Sequence, residues 1–76
     1  MKKRYSFTKL AGALERAIRC DVGLEGLDVL MHGFIQKGGV KRTTLSMREK
    51  ATGEKYLTEE EAMKFSEYAG YDLTSE

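Results

Sequence analysis

"VKRTTLSMREKATGEKYLTEEEA", residues Val40 to Ala62, admits two backbone readings, and the fold turns on which one holds. As a hairpin, Ala51-Thr52-Gly53 forms a type I turn closed by a glycine in the left-handed region, a common link between antiparallel strands. Gly53 in that place sets the register: Lys50 faces Glu54, Glu49 faces Lys55, Arg48 faces Tyr56 and Met47 faces Leu57. Two opposite-charge pairs, a cation–aromatic pair and an apolar pair result, each worth about 0.2–1 kcal/mol. Leu45 and Met47 share one face, and Thr44, Ser46 and Arg48 the other. Thr43 and Thr44 also favour strand. As a helix, Val40, Thr44, Met47 and Ala51 make only a thin stripe, Leu45 falls beside it and Arg48 must point outward. The hairpin uses more of the residues and is the expected form.

The flanks are helical. In FTKLAGALERAIR, residues 7–19, Leu10, Leu14, Ala17 and Ile18 recur at helical spacing. Ser6 is placed to cap this helix, and Tyr5 to staple onto Leu10. Cys20 to Gly23 reads as a turn. A second helix over 24–37 has Leu24, Leu27, Leu30, Met31, Phe34 and Ile35 on its apolar stripe, and Gly38-Gly39 stops it. Residues 58–69 carry the clearest signal. Thr58 followed by Glu61 is a capping box, and Glu59 to Glu61 suit the positive end of the helix dipole. Ala62, Phe65 and Ala69 mark its inner face, Gly70 ends it, and Tyr71-Asp72-Leu73 folds back. The expected class is α+β, mainly helical: helix–helix–β-hairpin–helix in one small globular domain over 1–76, frayed at 1–5 and 74–76. The alternative is an all-α helix-turn-helix bundle.

Seventy-six residues make one domain with a thin core. No apolar run approaches the roughly 18–20 residues that span a bilayer. Lys2, Lys3 and Arg4 are not followed by an apolar segment, so a secretory leader is not expected. Cys20 is the one cysteine. It cannot form an internal disulfide, which fits a reducing, cytoplasmic setting, and a free cysteine is expected to be buried. The net charge of +1 hides a polarity. Residues 1–55 hold 12 Lys/Arg against 6 Asp/Glu, a net of +6, whereas residues 56–76 hold one Lys against 6 Asp/Glu, a net of −5. Such a split bears on partners rather than on fold.

"GVKRTTLS", Gly39 to Ser46, resembles the turn and recognition-helix start of lambda-repressor-like helix-turn-helix proteins, with Glu49-Lys50 following at a spacing often seen there. "LTEEEAMKFSEYAGYDL", Leu57 to Leu73, resembles the next helix of that family and its glycine stop. The resemblance spans roughly residues 34–73. It implies a DNA-binding regulator.

The residues themselves offer little chemistry. His32 and Cys20 lack the spacing of a metal site, so no metal or other cofactor is expected, and His32 reads as a partly exposed or satisfied side chain. No phosphate loop surrounds Gly38-Gly39. An enzyme is not expected. The first functional expectation is a small DNA-binding regulator touching duplex DNA through the basic segment 37–55. Lys41, Arg42, Thr43, Thr44, Ser46, Arg48 and Lys50 would make the contacts, with Arg42 or Arg48 reading guanine edges. Lys2, Lys3 and Arg4 would form a basic arm. A chain this small would bind as a homodimer. The alternative is a protein-binding inhibitor or adaptor of phage or mobile-element type, docking a basic partner through Glu59, Glu60, Glu67, Tyr68 and Tyr71.

Overall fold

The computed structural model describes residues 3–74, in the order β1 (Arg4–Ser6), α1 (Phe7–Ile18), α2 (Gly23–Gln36), α3 (Arg42–Thr52), β2 (Tyr56–Thr58) and α4 (Glu59–Ala69). The class is mainly helical α+β. The expected hairpin over 43–57 is corrected: Thr43 to Arg48 lie inside a helix. The strand at Tyr56–Thr58 exists, but its antiparallel partner is the N-terminal segment, with Arg4 opposite Thr58, Tyr5 opposite Leu57 and Ser6 opposite Tyr56.

Gly53 explains the misreading. It sits at φ 88°, as the hairpin turn requires. Yet the same left-handed residue also closes a helix, and here its N–H donates to the Glu49 carbonyl at 2.8 Å. Thr52 seals the end: its hydroxyl lies 2.8 Å from the Arg48 carbonyl and 3.0 Å from that of Glu54. A helix satisfies these backbone groups locally, and of all its side chains only Leu45 needs to be buried.

The two strands are entry ramps to two helices. Ser6 caps α1 by accepting from the Lys9 N–H at 3.1 Å. Thr58 caps α4 with a complete capping box. The residue before each cap, Tyr5 and Leu57, is buried, and the two face each other at the centre of the ladder. One short ladder therefore fixes the start of both helices. It also pairs Arg4 and Tyr5, within the 1–5 expected to fray, with β2, while residues 1–2 and 75–76 lie outside the described range.

The core gathers Leu10, Ala13 and Leu14 of α1, Leu27, Met31 and Phe34 of α2, Leu45, Leu57, Phe65 and the returning Leu73. Phe34 meets Phe65 edge-on with ring centroids 5.2 Å apart, and Tyr68 leans on both. Gly39 lets the chain pass tightly behind Phe34, since a Cβ there would fall 2.2 Å from the ring. Between α1 and α2 the Glu15 carboxylate accepts from the N–H groups of Val22 (3.0 Å) and Gly23 (2.8 Å), holding the turn closed. Those bonds, Gly23 first, hold its carboxyl below the ordinary range. Cys20 lies in this turn and is exposed, against expectation, because it follows the end of α1 rather than belonging to the helix's inner face.

Arg19 ends α1 in the left-handed region, at φ 57° and ψ 43°, the one non-glycine residue with positive φ among those described. A Cβ makes that conformation costly. Arg19→Gly is expected to stabilise the domain by about 0.5–1 kcal/mol, read as a rise of a few degrees in Tm. An unchanged or lower Tm would contradict the strain.

Candidate nucleic-acid interface on α3

Helix α3 has two unlike sides. At ~100° per residue, Arg42, Thr43, Ser46, Met47 and Lys50 fall within an arc of about 140°. All five are exposed, as is Lys41 just before the helix, and the exposed Glu49 borders the stripe about 20° beyond Arg42. Thr44 lies half-buried at its margin. Glu49, on the other flank, lines a shallow groove with Leu24, Glu25, Asp28 and Glu54.

The opposite side of α3 is anchored. Leu45 is buried, and Arg48 turns inward instead of joining the stripe. Its guanidinium grips Glu61 with two hydrogen bonds, Nη1 to Oε1 at 2.5 Å and Nη2 to Oε2 at 3.1 Å. Nη1 also donates to the Tyr56 carbonyl at 3.1 Å. The side chains of Arg48 and Glu61 are only 17% and 22% exposed. The hydrogen bond to Glu61 raises the Arg48 pKa further above its already high ordinary value. Arg48, named from sequence as a guanine reader, is thus a strut between α3 and α4. Arg4, itself exposed, lies 4.7 Å over the same Tyr56 ring that Arg48 covers at 5.1 Å. Of the expected basic arm, Lys3 is exposed, Arg4 rests on Tyr56, and Lys2 lies outside the described residues.

The start of α3 is open. Lys41 caps it in an extended conformation with no side-chain acceptor, and the first turn has no acidic residue. No side chain caps its first N–H groups, and the positive end of a helix favours an anion.

Two features were missed from sequence. Met47, expected to share a hairpin face with Leu45, is 70% exposed at the edge of the stripe. His32 holds the other. Its Nδ1 lies 2.9 Å from Arg42 Nη2, and its Nε2 lies 3.2 Å from the Gln36 side-chain amide. Helical spacing on α3 would have found Met47, whereas nothing local in the sequence pairs His32 with Arg42.

The second expected surface is partly assembled. Glu59, Glu60 and Glu67 are exposed along α4. Tyr71 (42% exposed) lines a groove with Met63 (56% exposed), Glu67 and Asp72. Tyr68 is largely spoken for: its ring packs on Phe34 and Phe65, its hydroxyl sits where a Cβ on Gly33 would be, and Lys37 Nζ lies 5.7 Å over it. Among the described residues no group of three His, Cys, Asp or Glu side chains is arranged to hold a metal, and no helix is long and apolar enough to cross a membrane.

Fold and surface together define a small, mainly helical α+β domain that presents one basic, hydroxyl-bearing helix face to solvent. Comparison with protein-family models, with curated proteins and with solved structures found no match.

Proposed function

We propose that the protein is a small non-enzymatic DNA-binding regulator that lays the outward stripe of α3 against duplex DNA. The observation that carries this reading is the gathering of Arg42, Thr43, Ser46, Met47 and Lys50 on one exposed face, with Lys41 at its head and Glu49 at its border. A helix of ordinary diameter fits the major groove. Lys41 and Lys50 suit phosphates, Thr43 and Ser46 suit phosphate oxygens or base edges, Arg42 suits guanine, and the Met47 thioether suits an apolar thymine methyl. The open start of α3 favours a phosphate at the same end. The resemblance to lambda-repressor-like proteins is in keeping with this, since Gly39 to Ser46 form a turn and the beginning of a helix that follows another helix. A binding surface this small calls for a homodimer on DNA.

A second reading, docking of a basic protein segment, rests on Met63 and Tyr71 standing exposed beside Glu67 and Asp72. Binding of a random-sequence duplex at about 50 mM salt decides between them. On the DNA reading, Arg42→Ala weakens binding and Glu60→Ala does not. Absence of binding at that salt eliminates the DNA reading.

A further inference from the structure

We propose that His32 is the positioning residue for Arg42: the neutral imidazole holds the guanidinium, and protonation releases it. For its consequence on DNA this rests on the reading above. For its chemistry it rests on three side chains. His32 is on α2 and Arg42 in the first turn of α3, on either side of the Gly38-Gly39 turn. A guanidinium has only donors. The His32 Nδ1 at 2.9 Å from Arg42 Nη2 must therefore carry a lone pair. The ring proton then sits on Nε2 and needs an acceptor. Gln36, one helical turn further along, places its amide nitrogen Nε2 at 3.2 Å from the ring Nε2, where a second donor cannot serve the ring proton. Turning that amide over by a half-turn exchanges its nitrogen for its oxygen, the one atom of the two that accepts. With the amide turned so, Gln36, His32 and Arg42 form a directed chain with the ring proton on Nε2 and the lone pair on Nδ1.

Protonation removes the lone pair that Arg42 uses and sets an imidazolium beside a guanidinium. Asp28, one turn earlier on α2, and Lys55, from the segment before β2, share a small cavity with Arg42. Asp28 is the carboxylate toward which a released Arg42 can turn, with Lys55 in the same cavity. This chain has one histidine, so its ring can be followed without overlap from a second. Held, Arg42 offers a fixed fork. Released, it becomes a mobile cation next to a newly charged ring, which strengthens sequence-independent attraction to phosphate.

Long-range proton–nitrogen spectra of the free protein read the tautomer directly. The expected result is an Nε2–H ring with a bare Nδ1, and Arg42 side-chain signals that move with the imidazole as acid is added. An Nδ1–H ring, or Arg42 signals indifferent to the titration, would overturn the proposal. A second arm measures affinity for a short random-sequence duplex between about pH 8 and pH 5.5, in the wild type and in His32→Gln, whose amide oxygen can hold Arg42 but cannot titrate. Wild-type binding is expected to tighten about two- to fivefold toward acid, and His32→Gln to stay level. Parallel titration of the two proteins would overturn the switch. If neither binds DNA, the nucleic-acid reading fails alone, and the spectra still decide whether the ring holds the arginine.

Discussion

Glu61→Ala is expected to lower the unfolding free energy by about 2–3 kcal/mol, a drop of roughly 10–20 °C in Tm for a domain of this size. One carboxylate does two jobs. Glu61 Oε1 accepts from Arg48 at 2.5 Å and from the Thr58 N–H at 3.0 Å, while Oε2 takes the second Arg48 bond at 3.1 Å. Removing it takes away the acceptor of the Thr58 N–H in the α4 capping box and strands a mostly buried guanidinium. The pair keeps some contact with water, so the loss stays below the 3–5 kcal/mol or so typical of a fully buried pair. Arg48→Ala removes the same strut from the other end. The double variant should fall short of the sum of the two single losses by about 1–2 kcal/mol, and additive losses would mean that the contact does not couple α3 to α4. The pair also sets the acid limit. Burial by itself raises the Glu61 pKa, but the bonds from Arg48 and from the Thr58 backbone outweigh it and leave the carboxyl below its ordinary value. Its contribution is therefore complete above the ordinary glutamate value of about 4.3 and disappears as pH falls through the lowered folded value. Glu61→Gln should show a flatter loss of stability below about pH 4.

Binding to random-sequence duplex is expected to weaken about 10²-fold between 50 and 200 mM salt if four cations meet phosphates, because each neutralised phosphate adds about 0.9 to the slope of log affinity against log salt. Arg42, Lys41 and Lys50 supply three such charges on the α3 face, and exposed Lys3 is available as a fourth. Arg42→Ala combined with Lys50→Ala should reduce that slope by about 1.8 and leave stability nearly untouched, since neither side chain packs in the core. Arg48→Ala separates the structural from the contacting arginine. Its inward strut predicts a loss of Tm, with little change in slope when compared at a temperature where the variant is folded. A variant with the wild-type slope after Arg42 and Lys50 are removed would place the phosphate contacts elsewhere.

The helices with punctuation at both ends were legible. Ser6, the Thr58–Glu61 box, Gly38-Gly39 and Gly70 name their own backbone states, and the periodic apolar residues between them form the core. The segment from Arg42 to Thr52 was not. Its one buried side chain, Leu45, fixes no period, and Gly53 in the left-handed region ends a helix as readily as it turns a hairpin. Arg48 faces Tyr56 in the hairpin register and still reaches the Tyr56 carbonyl from the helix, so the two residues meet either way. The true partner of β2 was hidden because Tyr5 and Leu57 lie some fifty residues apart, and no local pattern ties them. On the site, clustering in sequence located the basic segment but not its sides. Whether Arg48 or Met47 faces water depends on the phase of a helix about its axis, which the position of Leu45 sets.

Backbone amide shifts recorded while a short random-sequence duplex is added at about 50 mM salt test the DNA reading most directly. The expected result is that Arg42, Thr43, Ser46, Met47 and Lys50 move together, with Lys41 at their head, while Glu59, Glu60, Glu67 and Tyr71 stay in place. Shifts confined to α4 and the C-terminal groove, or no shifts at all, would contradict it.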